Sequence, residues 1–185
     1  GARREAAILN VDIRGFTMMV GYMEPKEAMA LLSDYQHEVV PIVHKHGGVV
    51  DKFMGDGIMI TFGAPADDPD YCANAVRCAD EVLASWKNWS GPAGKVPINL
   101  AVASGPVICG AVGDGNRLEY TVIGPAVNDS AKLEKHNKMT GTRGLCEQTT
   151  YDNAIKQGYK GKNHKRLPQM MIEGSQHPMD LVVLG

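Results

Sequence analysis

The chain has 185 residues, 44% of them hydrophobic, and a formal charge of −2. That is enough to bury one sizeable core and too little to favour two, so a single domain spanning 1–185 is expected. The near-neutral balance weighs against an electrostatic nucleic-acid binder, because the one basic run, Lys160, Lys162, His164, Lys165 and Arg166, reads as a solvated strand or loop.

In chain order, the first signal is a buried-looking strand from Ala6 that ends at Asp12 and passes through Gly15 into a short apolar stretch. Pro25 then opens a long amphipathic helix carrying Ala28, Leu31, Leu32, Tyr35, Val39, Ile42 and Val43, which Gly47-Gly48 ends. Pro41 should kink it, and His44 and His46 sit where cations suit the helix dipole. Val49 to Phe62 reads as a hairpin with Gly55-Asp56-Gly57 at its tip. After a loop at Ala64-Pro65 and Asp67-Asp68-Pro69, a second helix carries Ala73, Val76, Ala79, Val82, Leu83 and Trp86, and Ser90 to Gly94 reads as a loop. Strands are expected at Val96–Ala103, Val107–Val112 and Arg117–Ile123, then a third helix from Pro125 to about Lys135. The tail alternates short strands with a helical stretch near 147–156.

This order is β-α-β-β-α-β, and the expected fold is α+β: a ferredoxin-like palm-type sheet with helices on one face, enlarged by extra C-terminal strands and a helix. Cys72, Cys78, Cys109 and Cys146 form neither a CxxC pair nor a disulfide framework and read as buried thiols in a reduced, cytoplasmic setting. No apolar run reaches about 18 residues and no signal segment opens the chain. A start so close to a strand suggests a domain cut from a longer protein, with a regulatory or sensor domain, and any membrane attachment, on the missing part.

In the β-α-β-β plan the first strand lies antiparallel to the second arm of the hairpin, which brings Asp12 and Asp56 together. Paired carboxylates repel unless a cation lies between them, and hard oxygen ligands suit Mg²⁺ or Mn²⁺. A helix start after Gly15 can hold a metal-bound polyphosphate beside them. Asn128 and Lys132 share one face of the third helix, and Lys52 precedes Asp56 by four residues. The residues alone therefore point to a metal-dependent nucleotide enzyme that performs phosphoryl transfer.

Three ordered stretches carry a resemblance: Asp12-Ile13-Arg14-Gly15-Phe16-Thr17, Lys52-Phe53-Met54-Gly55-Asp56, and Thr121-Val122-Ile123-Gly124-Pro125-Ala126-Val127-Asn128. With them the chain, from about Ala7 to its end, resembles the catalytic domain of the class III adenylyl/guanylyl cyclases. The resemblance implies that Asp12, Asp56 and the Ile13 carbonyl bind two Mg²⁺ or Mn²⁺ ions and that Gly15, Phe16 and Thr17 cradle phosphates. It implies that Asn128 and Lys132 are catalytic and that the nucleotide's 3′-hydroxyl attacks its own α-phosphate, expelling pyrophosphate. It also implies a head-to-tail homodimer in which metal ligands of one subunit face base and transition-state residues of the other.

Lys52 is donor-only and suits adenine N1, and Thr121 can accept from the exocyclic amine, so ATP is the expected substrate and cyclic AMP the product. Lys with Thr at these positions resembles the adenylyl-cyclase subgroup that includes bicarbonate-responsive members. Two departures stand out. Lys132 occupies the place of a transition-state Arg, and Glu173 falls at or beside the place of a phosphate-binding Lys, where Lys165, Arg166 or His177 would have to compensate. They motivate the alternatives of a weakly active or inactive nucleotide-binding or dimerisation module, or a guanylyl cyclase. A diguanylate cyclase is disfavoured by the lack of a Gly-Gly-acidic-acidic-Phe hairpin.

Overall fold

The structure is a computed structural model describing residues 1–87 and 96–185, so the loop expected at Ser90 to Gly94 lies outside the described residues. The elements are β1 (Ala2–Ile13), α1 (Phe16–Val20), α2 (Pro25–Lys45), β2 (Val49–Met54), β3 (Gly57–Phe62), α3 (Tyr71–Lys87), β4 (Ile98–Asp114), β5 (Arg117–Ile123), α4 (Pro125–Thr140), β6 (Gly144–Glu147), α5 (Gln148–Lys156), β7 (Arg166–Met170) and β8 (Met179–Val183). The sheet runs β2-β3-β1-β4-β6-β8-β7, with β5 paired to the far end of β4. Its first four strands carry the ferredoxin-like order, and β1 lies antiparallel to β3 with Leu9 opposite Ile60.

Alternation along β1 divides the core. Ala7, Leu9, Val11 and Ile13 pack with α2 and α3 through Leu31, Tyr35, Val39, Val76 and Val82. Ala6 and Ile8 face the other side and meet Met59, Val107 and Ala126 of α4. Helices on one face therefore describes the ferredoxin-like unit alone. The added α4 covers the opposite face, because residues of both parities on β1 are apolar and each side needs a cover.

Two strands expected at Val96–Ala103 and Val107–Val112 are one, β4. The Ser104-Gly105-Pro106 stretch reads as a break, yet β1 pairs straight through it, Glu5 opposite Pro106 and Ala6 opposite Gly105. The third helix also runs one turn beyond Lys135, to Thr140, where Gly141 ends it with φ 64. Pro41 lies inside a continuous α2, whose end is held by Lys45 and His46 reaching Glu81 of α3 at 2.6 and 3.2 Å. All four cysteines are free and buried. Among the described residues no helix is long and apolar enough to cross a membrane.

Candidate active site

Asp12 is the penultimate residue of β1, and Asp56 sits in the β2–β3 turn, where Gly55 supplies φ 61. The antiparallel register carries the two to one edge of the sheet. There Asp56 Oδ2 accepts the Ile13 backbone N–H at 3.0 Å. Gly15 follows with φ 73 and no atom within 4 Å of where a Cβ would lie. It starts α1, whose first turn leaves the N–H groups of Phe16, Thr17 and Met18 without intrahelical acceptors. Asp12, Ile13, Arg14, Gly15, Phe16, Thr17, Asp56 and Lys138 line a cavity of about 480 Å³.

The electrostatics of this cavity are unusual. Burial pushes the Asp12 carboxyl above the ordinary aspartate range, and the nearby charge of Asp56 pushes the same way, against the interaction with Glu134 and the charges of Lys138 and Arg14. Glu134 comes from α4 and is 5% exposed; burial, then its contact with Asp12, raises its carboxyl well above the carboxylate range. Tyr35 is wholly buried, and desolvation together with the charges of Asp12, Asp56 and Glu134 lifts its phenol as well.

Asp12 Oδ1 and Glu134 Oε1 are buried and, among the described residues, take no hydrogen bond from an amide, hydroxyl or cationic group, their shared contact aside, which leaves Asp12 carboxylate oxygen able to meet a cation. Among the described residues no group of three or more His, Cys, Asp or Glu side chains stands at metal-holding spacing. The hard donors present are therefore the two aspartates and the carbonyl of Ile13. That set fits Mg²⁺ or Mn²⁺, provided the remaining positions are filled by substrate oxygens or water.

Other expected site residues lie elsewhere in the protomer. Lys52 is on β2 with Nζ 3.4 Å from Asp51 Oδ2, and Thr121 is on β5 opposite Gly110. Asn128 is exposed on the first turns of α4. Lys132 lines a separate groove of about 300 Å³ with Lys135, His136, Met139 and Glu173, and its Nζ donates to the Gly174 carbonyl at 3.0 Å. Glu173 thus lines the same groove as Lys132 and Lys135. Arg166 lies instead over the Tyr151 ring at 4.6 Å. The groove and the Asp12 cavity share no lining residue.

Arg14 and Lys138 line the aspartate cavity, Glu134 stands beside Asp12, and all three escaped sequence reasoning as site residues. The signal for Glu134 was present in α4, where Ser130, Glu134 and Asn137 follow the core-facing spacing and are all buried although polar.

The sequence pattern of the adenylate and guanylate cyclase catalytic domain matches residues 2–179. Adenylate cyclase 1 of Rhizobium meliloti (strain 1021) is 31% identical over 149 residues, covering 78% of this chain and 22% of that protein. The chain spans about a quarter of the length of the curated relatives it matches. Among solved structures, the guanylyl cyclase Cya2 superposes with a TM-score of 0.86 at 26% identity, covering 99% of this chain and 92% of that one. The adenylyl cyclase CyaB from P. aeruginosa gives 0.82 at 26%, covering 98% and 94%.

Proposed function

The chain belongs to the adenylate and guanylate cyclase catalytic domain family, and from that premise we propose that it is an adenylyl cyclase domain converting ATP to 3′,5′-cyclic AMP and pyrophosphate. The observation that carries the reading is the convergence of Asp12, Asp56 and the start of α1 on one cavity.

Asp12, Asp56 and the Ile13 carbonyl would hold two Mg²⁺ or Mn²⁺ ions. When bound, these ions supply Lewis acidity to the attacking hydroxyl and the α-phosphate and neutralise the leaving pyrophosphate. The free N–H groups opening α1 orient the β- and γ-phosphates, and Lys138, on the rim of the same cavity, adds positive charge. Lys52 and Thr121 recognise the adenine edge, Asn128 orients the ribose, and Lys132 stabilises charge on the pentavalent phosphorus.

The active unit in this reading is a head-to-tail homodimer, each site taking its metal ligands from one subunit and Lys52, Thr121, Asn128 and Lys132 from the other, an arrangement supported by Lys132 and Asp12 lining separate grooves of one protomer. This domain would work in the cytoplasm, under a regulatory domain elsewhere in a longer chain. A second reading, a weakly active cyclase, is favoured by one observation: Lys132 is engaged by the Gly174 carbonyl, and Glu173 lies in its groove.

Cyclic-nucleotide production by the purified domain, with Mn²⁺ or Mg²⁺ and with ATP or GTP, tests the assignment. Cyclic AMP that rises faster than linearly with protein concentration and vanishes in Asp56→Ala is the expected result. No product from a folded dimer that binds nucleotide refutes it, and cyclic GMP as the main product refutes the choice of base.

A further inference from the structure

Arg14 lies between the two metal-site aspartates in sequence and inside the cavity they line, yet the chemistry above gives it no part. Its bonding is unusually directed. The backbone N–H donates to the Pro97 carbonyl at 2.9 Å, Nε donates to Asn99 Oδ1 at 2.9 Å, and Nη2 donates to the Thr142 carbonyl. Asn99 is 1% exposed and belongs to β4, so that acceptor is fixed by the sheet.

Thr142 is fixed too. Its N–H donates to the Asn137 carbonyl at 3.0 Å and its hydroxyl to Asn137 Oδ1 at 2.8 Å. Asn137 is fully buried, and its Nδ2 spans the Leu100 and Glu134 carbonyls, each at 2.9 Å. Glu134 closes the circuit by standing beside Asp12. From Asp12 through Arg14, Thr142, Asn137 and Glu134 the contacts form a ring joining the aspartate loop to the C-terminal half of α4.

Strand pairing with β4 ends at Ile13, opposite Ile98, and the turn follows it. Gly15 borders open space, and the Ile13 N–H is taken by Asp56, which must also serve as a ligand. We propose that Arg14 is a positioning residue for the metal site, its guanidinium fork tying the Asp12 loop to Asn99 and to the Thr142 carbonyl. The proposal rests on the reading of Asp12 and Asp56 as metal ligands. The role is geometric. Among the influences on Asp12 the charge of Arg14 is the smallest, behind burial, Glu134, Asp56 and Lys138, so a second cation at position 14 does not replace a planar group with two directed bonds.

The test measures Mn²⁺ affinity by electron paramagnetic resonance titration in the presence of α,β-methylene-ATP, for wild type, Asp56→Ala, Arg14→Gln and Arg14→Lys, with dimer mass and melting temperature checked for each. The expected result is that wild type binds, Asp56→Ala does not, and both Arg14 variants bind about tenfold more weakly or worse, as loss of a ligand-orienting contact does. If Arg14→Gln fails to fold, Arg14→Lys carries the test. Arg14 variants matching wild type within about twofold would overturn the proposal, as would full recovery by Arg14→Lys beside a weakened Arg14→Gln, since charge alone would then suffice. A wild type with no Asp56-dependent Mn²⁺ binding would overturn the metal-site reading and the proposal with it.

Discussion

The aspartate cavity and the Lys132 groove are built by opposite means. The first is assembled from strand ends and a turn: Asp12 is placed by the β1–β4 register, opposite Asn99, Asp56 by the hairpin, and the two are joined through the Ile13 N–H. The second is a helix flank facing a turn, where Lys132 and Glu173 are long side chains and, among the described residues, one hydrogen bond, to Gly174, holds the lysine. A sheet fixes side-chain positions without a partner. A helix flank offers reach and mobility, which suits residues that must act across an interface.

The largest effect expected is also the sharpest test of this division. Asp56→Ala should lower cyclase activity about a thousandfold, because it removes a hard ligand at the reacting phosphate. Lys132→Ala should also be severe. Mixed in equal amounts and allowed to exchange subunits, the two variants should regain about a quarter of wild-type activity, since half of the dimers then carry one intact site of two. An assay of the mixture that gave no recovery, with subunit exchange verified by mass, would place both groups in the same protomer's site.

Next in size is base recognition. Lys52→Glu with Thr121→Cys should shift the ATP-to-GTP ratio of kcat/KM toward GTP by about a hundredfold, because a carboxylate accepts from guanine N1 where the ammonium cannot. Unchanged ATP preference in competition assays would refute the roles of Lys52 and Thr121. Smaller again is Lys132→Arg. A guanidinium offers more donors to the equatorial oxygens, and turnover should rise about tenfold with little change in KM. A flat response would mean that the Gly174 contact, and not the choice of cation, limits this groove.

What the sequence disclosed follows the same division. The hairpin tip, the strand ending at Asp12 and the β-α-β-β order were legible because turn glycines and alternating apolar residues are local signals. Ser104-Gly105-Pro106 misled, since the pairing that carries β4 through it comes from β1, a hundred residues earlier in the chain. Arg14 and Glu134 were passed over for a related reason. An arginine in a Gly-containing turn carries no local signal of its partners, and the core-facing spacing of Glu134 shows that it is covered without showing by what; the contacts to Asn99, Thr142 and Asp12 appear only in the fold.

Two glutamates make the finest comparison between the regions. Glu134 is 5% exposed beside Asp12, and Glu173 is exposed in the groove. The carboxyl of Glu134 is raised in the folded protein, so between the ordinary glutamate range and its raised value the folded state holds a proton that the unfolded chain has lost. Its stabilising contribution is therefore complete at acid pH and fades as pH rises through that window. In metal-free buffer the wild-type melting temperature should fall from pH 5 to pH 8, and Glu134→Gln, which keeps the shape without an ionisable proton, should fall less. At pH 8 the variant should melt about 3 °C higher than wild type. Glu173→Gln, with solvent around its carboxylate, should stay within about 1 °C of wild type across the range. Scanning calorimetry of the three proteins decides it: parallel curves would mean that Glu134 ionises in the fold as it does in the unfolded chain, and its burial beside Asp12 would carry no electrostatic weight.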